Sequence, residues 1–168
     1  FAECQKKFKW PDYIIATTGK NHKTRVIEVS DKLQGNLRLS GSVQSLDPEV
    51  QKNIKRENIN SDTLLTLAKE AGKTGANTYS EIILALPGDS LKSHKFSLSR
   101  VINAKYDYVV AWQLVILKGT EIDNKETREK FGLKTKYRAL TKSYGNYYFK
   151  DKQNISVSEI EEIVVGGI

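Results

Sequence analysis

Methionine is absent from this chain, and cysteine occurs once, at Cys4. A single thiol excludes an internal disulfide framework and agrees with a reducing, cytoplasmic setting. Without methionine there is no initiator, so the sequence is expected to be a fragment of a longer protein. No apolar run reaches the roughly 18 residues that a membrane-spanning helix needs. No basic segment followed by an apolar one reads as a leader. The two histidines, His22 and His94, have no Cys or His at ligand spacing, which argues against a zinc site. No G-x-G-x-x-G or Walker loop follows a strand, and no Ser-His-Asp order stands out. Internal repeats, low-complexity segments and long linkers are missing as well.

What remains is a chain of 168 residues, 39% hydrophobic and 28% charged, long enough for one domain with a real core. The basic residues are scattered along the chain, and much of the net charge of +7 lies between residues 118 and 152, with ten Lys or Arg against five Asp or Glu. Scattered in this way, the excess reads first as a solvated basic face. Nucleic acid is the less favoured partner; an anionic small molecule or a tRNA stays open.

Strand and helix signals alternate. Residues 1–13 (FAECQKKFKWPDY) read as a helix end before a proline-marked strand entry. Residues 13–17 (YIIAT) predict a buried strand, and 24–33 a helix with Val26, Val29 and Leu33 at helical spacing. Residues 36–44 predict a strand, with Leu37, Leu39, Gly41 and Val43 on one face and Arg38, Ser40, Ser42 and Gln44 on the other. Asp47 caps a helix over 48–56 with Pro48 at its first position, and Ser61 caps another running to about 73. A strand over 79–86, an amphipathic helix over 91–103, a long strand over 106–117 and a short helix over 125–131 follow. Residues 137–141 read as a strand and 156–165 as a helix. Strands spaced by helices imply an α/β fold with a parallel sheet, either an open half-barrel or a small open sheet.

In such sheets ligands bind where the carboxyl ends of the strands meet their loops. Polar Ser40, Ser42 and Gln44 on an otherwise buried strand suggest a wet cavity, because an unpaired buried polar group costs roughly 1–3 kcal/mol. Ser40 fits equally well as a residue bonded to its neighbours. Gln44 both donates and accepts, Arg56 offers a fork for a carboxylate, and Glu81 lies on the next strand. The three can converge on a zwitterionic ligand bearing a ribose. From spacing alone, Arg56 reads more readily as half of a surface ion pair with Glu57 or Asp62. Tyr144, Tyr147 and Tyr148 could stack on a base but read first as packing and turn residues.

The stretch SVQSLDPEVQKNIKREN (42–58) closely resembles the radical SAM superfamily, especially its cobalamin-dependent members. SEIILALPGDS (80–90) resembles the family's fifth barrel strand and QLVILKGTEI (113–122) its sixth. TGKN (18–21) sits where the third strand ends, and REKFGL (128–133) fits the usual sequel. The motifs run in order over roughly residues 12–133. The resemblance implies strands three to six of a partial (β/α)6 barrel that binds S-adenosylmethionine (SAM) and, with a [4Fe–4S] cluster, yields a 5′-deoxyadenosyl radical. It implies cobalamin as a further cofactor of the whole protein. It also implies that Gln44 and Arg56 contact the SAM ribose or methionine carboxylate, with Ser42 beside them on the same strand. Glu81 would reach the ribose or amino end, and Leu84, Val115 and Leu117 the adenine. With that context Arg56 turns from an ion-pair residue into a ligand residue. Ala85 stands for the usual Gly and Lys118 for the usual Pro, exchanges expected to preserve the backbone.

The cluster-binding C-x3-C-x2-C loop is not in this sequence, nor is the segment that would hold the methionine amino group. The expectation is therefore the C-terminal half of a barrel over 1–133, with an extension over 134–168 packing on it, inactive alone and prone to self-association through open strand edges. The substrate is an unknown small molecule, and neither reaction type nor oligomeric state is legible. Two other readings stay open: a non-enzymatic basic α/β module that binds RNA or a protein partner, and another barrel fragment with a phosphate site at Gly119 and Thr120.

Overall fold

A computed structural model of the chain describes residues 1–16, 23–56, 66, 68, 70, 73, 75–148 and 154–167. These residues form two compact units, Phe1–Leu84 with Ser90–Trp112, and Ala85–Asp89 with Gln113–Ile168.

In the first unit the alternation over 36–44 is realised in burial: Leu37, Leu39, Gly41 and Val43 are buried, while Arg38, Ser40, Ser42 and Gln44 are half-buried. Regular pairing is shorter than the pattern suggests. Strand β1 is Leu39–Ser40 and runs parallel to β2, Thr78–Leu84, with Leu39 opposite Thr78 and Ser40 opposite Tyr79. Helix α1 (Ala2–Phe8) precedes the run predicted as the first strand. That run contributes a single parallel bridge, Ile14 to Leu37, so it is not a strand as far as residue 16; Thr17 lies outside the described residues. Helix α2 (Lys23–Lys32) packs Val26 against Leu39 and Ala76.

Helix α3 (Pro48–Asn53) starts where its cap predicts: the Asp47 carboxylate accepts the backbone N–H groups of Glu49 at 3.0 Å and Val50 at 3.1 Å. Asp47→Ala should cost about 1 kcal/mol. Urea denaturation followed by tryptophan fluorescence checks this, since Trp10 and Trp112 both lie in the first unit. The helix ends at Asn53, short of the predicted Arg56. Lys55 turns left-handed at φ 51°, its N–H bonds Lys52 O, and the Arg56 N–H bonds Gln51 O at 3.0 Å. These two bonds are a Schellman closure. The predicted helix from Ser61 falls mostly outside the described residues, although Thr66, Ala68, Glu70 and Lys73 are helical.

Helix α4 (Leu91–Asn103) matches its amphipathic pattern and opens with a reciprocal Ser90–Ser93 capping box. Its Val101 joins Val43, Leu46, Ile82, Ala104 and Tyr106 in the core. Buried Ser97 on α4 accepts the Leu46 N–H at 2.9 Å, which ties the loop after β1 to the helix. Strand β3 (Tyr108–Gln113) completes a sheet of order β1-β2-β3. One face of this sheet packs on helices. The other carries Arg38, Ser42, Tyr79, Glu81 and Trp112, joined by polar contacts.

The second unit departs most from the sequence pattern. The run 106–117 is not one strand: it divides at Leu114 into β3 and β4 (Val115–Ile116), which belong to different sheets. A 3-10 turn (Glu121–Asp123) and helix α5 (Lys125–Lys130) follow. Strand β5 (Lys134–Tyr148) is much longer than the predicted 137–141. Residues 156–165 are not a helix but part of strand β6, Asn154–Gly166. The sheet order is β4-β6-β5, antiparallel throughout. Val157, Ile160, Ile163, Val164 and Val165 are β-branched, and a long partner strand outweighs serine caps and acidic spacing. Tyr144, Tyr147 and Tyr148 are exposed on β5, so they are not packing residues in this unit. Among the described residues no helix is long and apolar enough to cross a membrane.

Candidate functional site

The open face of the first sheet is organised by a bulge. The pairing runs Ser40 to Tyr79 but Gln44 to Ile82, so one extra residue sits on the first strand. The N–H groups of Val43 and Gln44 both bond the Glu81 carbonyl, at 3.1 and 2.9 Å, and the Ile83 N–H bonds Gln44 O at 2.8 Å. Gln44 takes φ 62°, an uncommon conformation for a residue with a side chain. Bulges re-aim side chains and recur beside active sites. Here the bulge falls at the carboxyl end of the strand, at the residue assigned to SAM by resemblance.

Glu81 is the hub of the face. Its carboxylate accepts the Ser42 hydroxyl at 3.0 Å, the Trp112 indole N–H at 2.8 Å and the Tyr79 hydroxyl. Ser42 in turn lies 3.1 Å from the Ser40 hydroxyl, so Ser40 is bonded to its neighbour. Desolvation pushes the Glu81 carboxyl up. The hydrogen bonds from Tyr79, Trp112 and Ser42, with the charge of Arg38, outweigh it, and the pKa lies below the ordinary carboxylate range. Burial and the bond to Glu81 raise the Tyr79 hydroxyl to about 12. Burial lowers the Arg56 pKa, while the Glu81 charge opposes that shift. Arg56 and Glu81 therefore feel each other electrostatically. The alternative partners of Arg56, Glu57 and Asp62, lie outside the described residues, as does the TGKN segment.

Ser42 and Gln44 thus lie beside Glu81, whose charge is felt by Arg56, and Leu84 is exposed at the end of β2. Val115 and Leu117 lie in the second unit, where they border a cavity of about 440 Å³ with Tyr137, Ile160 and Glu162. Ala85 has φ 65°, so its exchange for glycine does not preserve the backbone freely: a side chain there carries strain on the order of 1 kcal/mol. The loop once considered for phosphate is already engaged. Its Gly119 N–H bonds the Asp123 carboxylate at 3.1 Å, Thr120 donates to Leu117 O at 2.6 Å, and Lys118 pairs with Asp123 and Glu162. A carboxylate seated on those donors disfavours a phosphate.

Sequence reasoning missed Arg38, Tyr79, Tyr108 and Trp112. The signal was present: Arg38 shares the polar face with Ser42 and Gln44, and the even spacings Tyr79–Glu81 and Tyr108–Trp112 put each pair on one strand face. Among the described residues no group of three or more His, Cys, Asp or Glu could hold a metal ion.

No protein-family model matches the chain. It is 28% identical over 138 residues, 80% of its length, to the cobalamin-dependent radical SAM methyltransferase TokK of Streptomyces tokunonensis, covering 20% of that protein. It is 29% identical over 129 residues, 74% of its length, to a 2-(S-pantetheinyl)-carbapenam-3-carboxylate methyltransferase of Streptantibioticus cattleyicolor, covering 19% of that protein. The chain spans about one fifth of the length of these curated relatives. Among solved structures, the radical SAM enzyme coproporphyrinogen III oxidase of Escherichia coli matches at 30% identity and a TM-score of 0.45, over 51% of this chain and 20% of that one, a likeness too partial to carry weight. The two sequence matches agree with the ordered motifs: the chain is similar to cobalamin-dependent methyltransferases of the radical SAM superfamily.

Proposed function

We propose that this chain supplies the SAM-contacting half of a radical SAM barrel, strands three to six, in an enzyme that transfers a methyl group. The observation that carries the reading is the bulged Gln44 beside Ser42 and Glu81 on the open face of a parallel sheet, with Arg56 within reach of the Glu81 charge. These residues fit SAM. Arg56 offers a fork to the methionine carboxylate, while Gln44, Ser42 and Glu81 present donors and an acceptor to the ribose hydroxyls. The resemblance alone gives Leu84, Val115 and Leu117 an adenine role. A [4Fe–4S] cluster does not fit the residues of this chain, whose single cysteine cannot supply three thiolates. When bound together, SAM and such a cluster supply a 5′-deoxyadenosyl radical. This chain's residues bind and orient the SAM. Cobalamin enters the proposal through the relative named as dependent on it.

The test uses the full-length protein, reconstituted anaerobically with iron and sulfide. SAM and dithionite should yield 5′-deoxyadenosine by chromatography. Arg56→Ala should weaken SAM binding by about 1–3 kcal/mol, read by equilibrium dialysis, as expected for a lost charged contact. Unchanged affinity would remove Arg56 from the carboxylate. Absence of 5′-deoxyadenosine with a cluster verified by absorbance would favour the basic binding module, which predicts salt-sensitive RNA binding instead.

A further inference from the structure

Two arginines are coupled in charge to the Glu81 carboxylate of the open face. Glu81 acts on Arg56 and is itself acted on by Arg38. SAM accounts for Arg56; nothing in that reading uses Arg38. Its guanidinium stacks on the Tyr79 ring, 4.0 Å from the centroid, and faces the Tyr108 ring at 5.2 Å. Stacking occupies the faces of a guanidinium and leaves its edges, where the hydrogen-bond donors lie. Among the described residues those donors are unspent, and the buried Arg38 Nε has no hydrogen-bond partner. Glu81, the carboxylate coupled to Arg38 in charge, is committed to Ser42, Tyr79 and Trp112. A cation held by two rings, whose charge partner accepts its hydrogen bonds from other groups, is poised for an acceptor that arrives from outside.

We propose that Arg38 anchors a carboxylate of the substrate on this face, with Tyr79 and Tyr108 fixing the plane of its fork. The planar, two-oxygen match between guanidinium and carboxylate makes this class the natural occupant. The proposal rests on the radical SAM reading only for calling the occupant a substrate. One relative is a methyltransferase of a carbapenam-3-carboxylate, a ligand that bears such a group.

The test compares a carbapenam-3-carboxylate with its methyl ester by calorimetric titration of the full-length protein, with SAM affinity measured in parallel. The acid should bind at least tenfold more tightly than the ester. In Arg38→Gln that ratio should fall to near one while SAM affinity is unchanged; Arg38→Lys, which keeps charge without the fork, should fall between. If Arg38→Gln loses its native circular dichroism, Arg38→Lys decides alone: a ratio equal to wild type overturns the proposal. Acid and ester binding alike to the wild type, neither binding, or a ratio that survives Arg38→Gln would each overturn it. Inorganic phosphate displacing the acid at equal concentration would overturn the carboxylate in favour of a phosphate group. A preserved acid preference in a protein that does not bind SAM would uphold Arg38 and sink the SAM reading.

Discussion

Gly41→Ala should destabilise the first unit by about 3 kcal/mol, the upper part of the range for overpacking a filled core. Gly41 lies on the buried face of the strand that carries Ser42 and Gln44. A Cβ there would strike the Tyr106 hydroxyl and come within 2.8 Å of the ring carbon that bears it. Neither side can yield easily. Tyr106 is buried in the core with Val43 and Ile82, neighbours of Gln44 and Glu81, and its ring cannot tilt without moving them. Urea denaturation followed by tryptophan fluorescence should show a lower midpoint at constant slope. Adding Tyr106→Phe should restore part of the loss, because it removes the closest clash and leaves the 2.8 Å one. A midpoint within about 0.5 kcal/mol of wild type would mean that the Tyr106 ring is not packed on Gly41. Because the bulge is built on this strand, SAM affinity in the full-length protein should fall with stability.

How much of this was legible in the sequence varies by unit. Period-two alternation over 36–44, the Asp47 cap and the amphipathic 91–103 helix fixed the first unit, because each is decided by local chemistry and one buried face. The candidate residues Ser42, Gln44 and Glu81 were readable as polar groups on strands, whereas Arg56 was favoured as a ligand residue only through the resemblance. The bulge was not. No glycine marks Gln44, and its left-handed backbone follows from pairing with Glu81 rather than from any local signal. Arg38 was passed over because an arginine on a polar face reads as solvated; that its Nε is buried without a hydrogen-bond partner among the described residues is visible only in three dimensions. In the second unit the ladder between β5 and β6 pairs residues far apart in the chain, such as Lys134 with Gly166, so local spacing mistook β6 for a helix. The apolar run 106–117 hid a change of sheet at Leu114, since both halves are equally β-prone.

Glu162→Gln should cost the second unit about 3 kcal/mol at neutral pH, toward the low end for breaking a buried ion pair. Glu162 sits on β6 with 5% of its surface exposed. Its two oxygens take the Arg128 fork at 2.6 and 2.8 Å, the Thr135 hydroxyl also donates to it, and Lys118 stands at 3.5 Å. Glutamine keeps the shape but removes the charge and puts a donor against the fork. Arg128 retains Asp123 at 2.8 Å, which keeps the loss from being larger. The effect should depend on pH in one direction. Hydrogen bonds from Arg128 and Thr135 hold the Glu162 pKa down at about 2, against roughly 4.3 in an unfolded chain. A depressed carboxyl contributes stability that is complete above the unfolded value and is lost as the pH falls through the folded one. The gap between wild type and Glu162→Gln should therefore be full at pH 7, narrow below about pH 4.3 and close near pH 2. Amide exchange across β5 and β6 reads it, since the second unit contains no tryptophan. A gap independent of pH would mean that the Arg128 pairing contributes through packing and not through charge. In that case Glu162 would bear on the cavity beside Val115 and Leu117 by its shape alone.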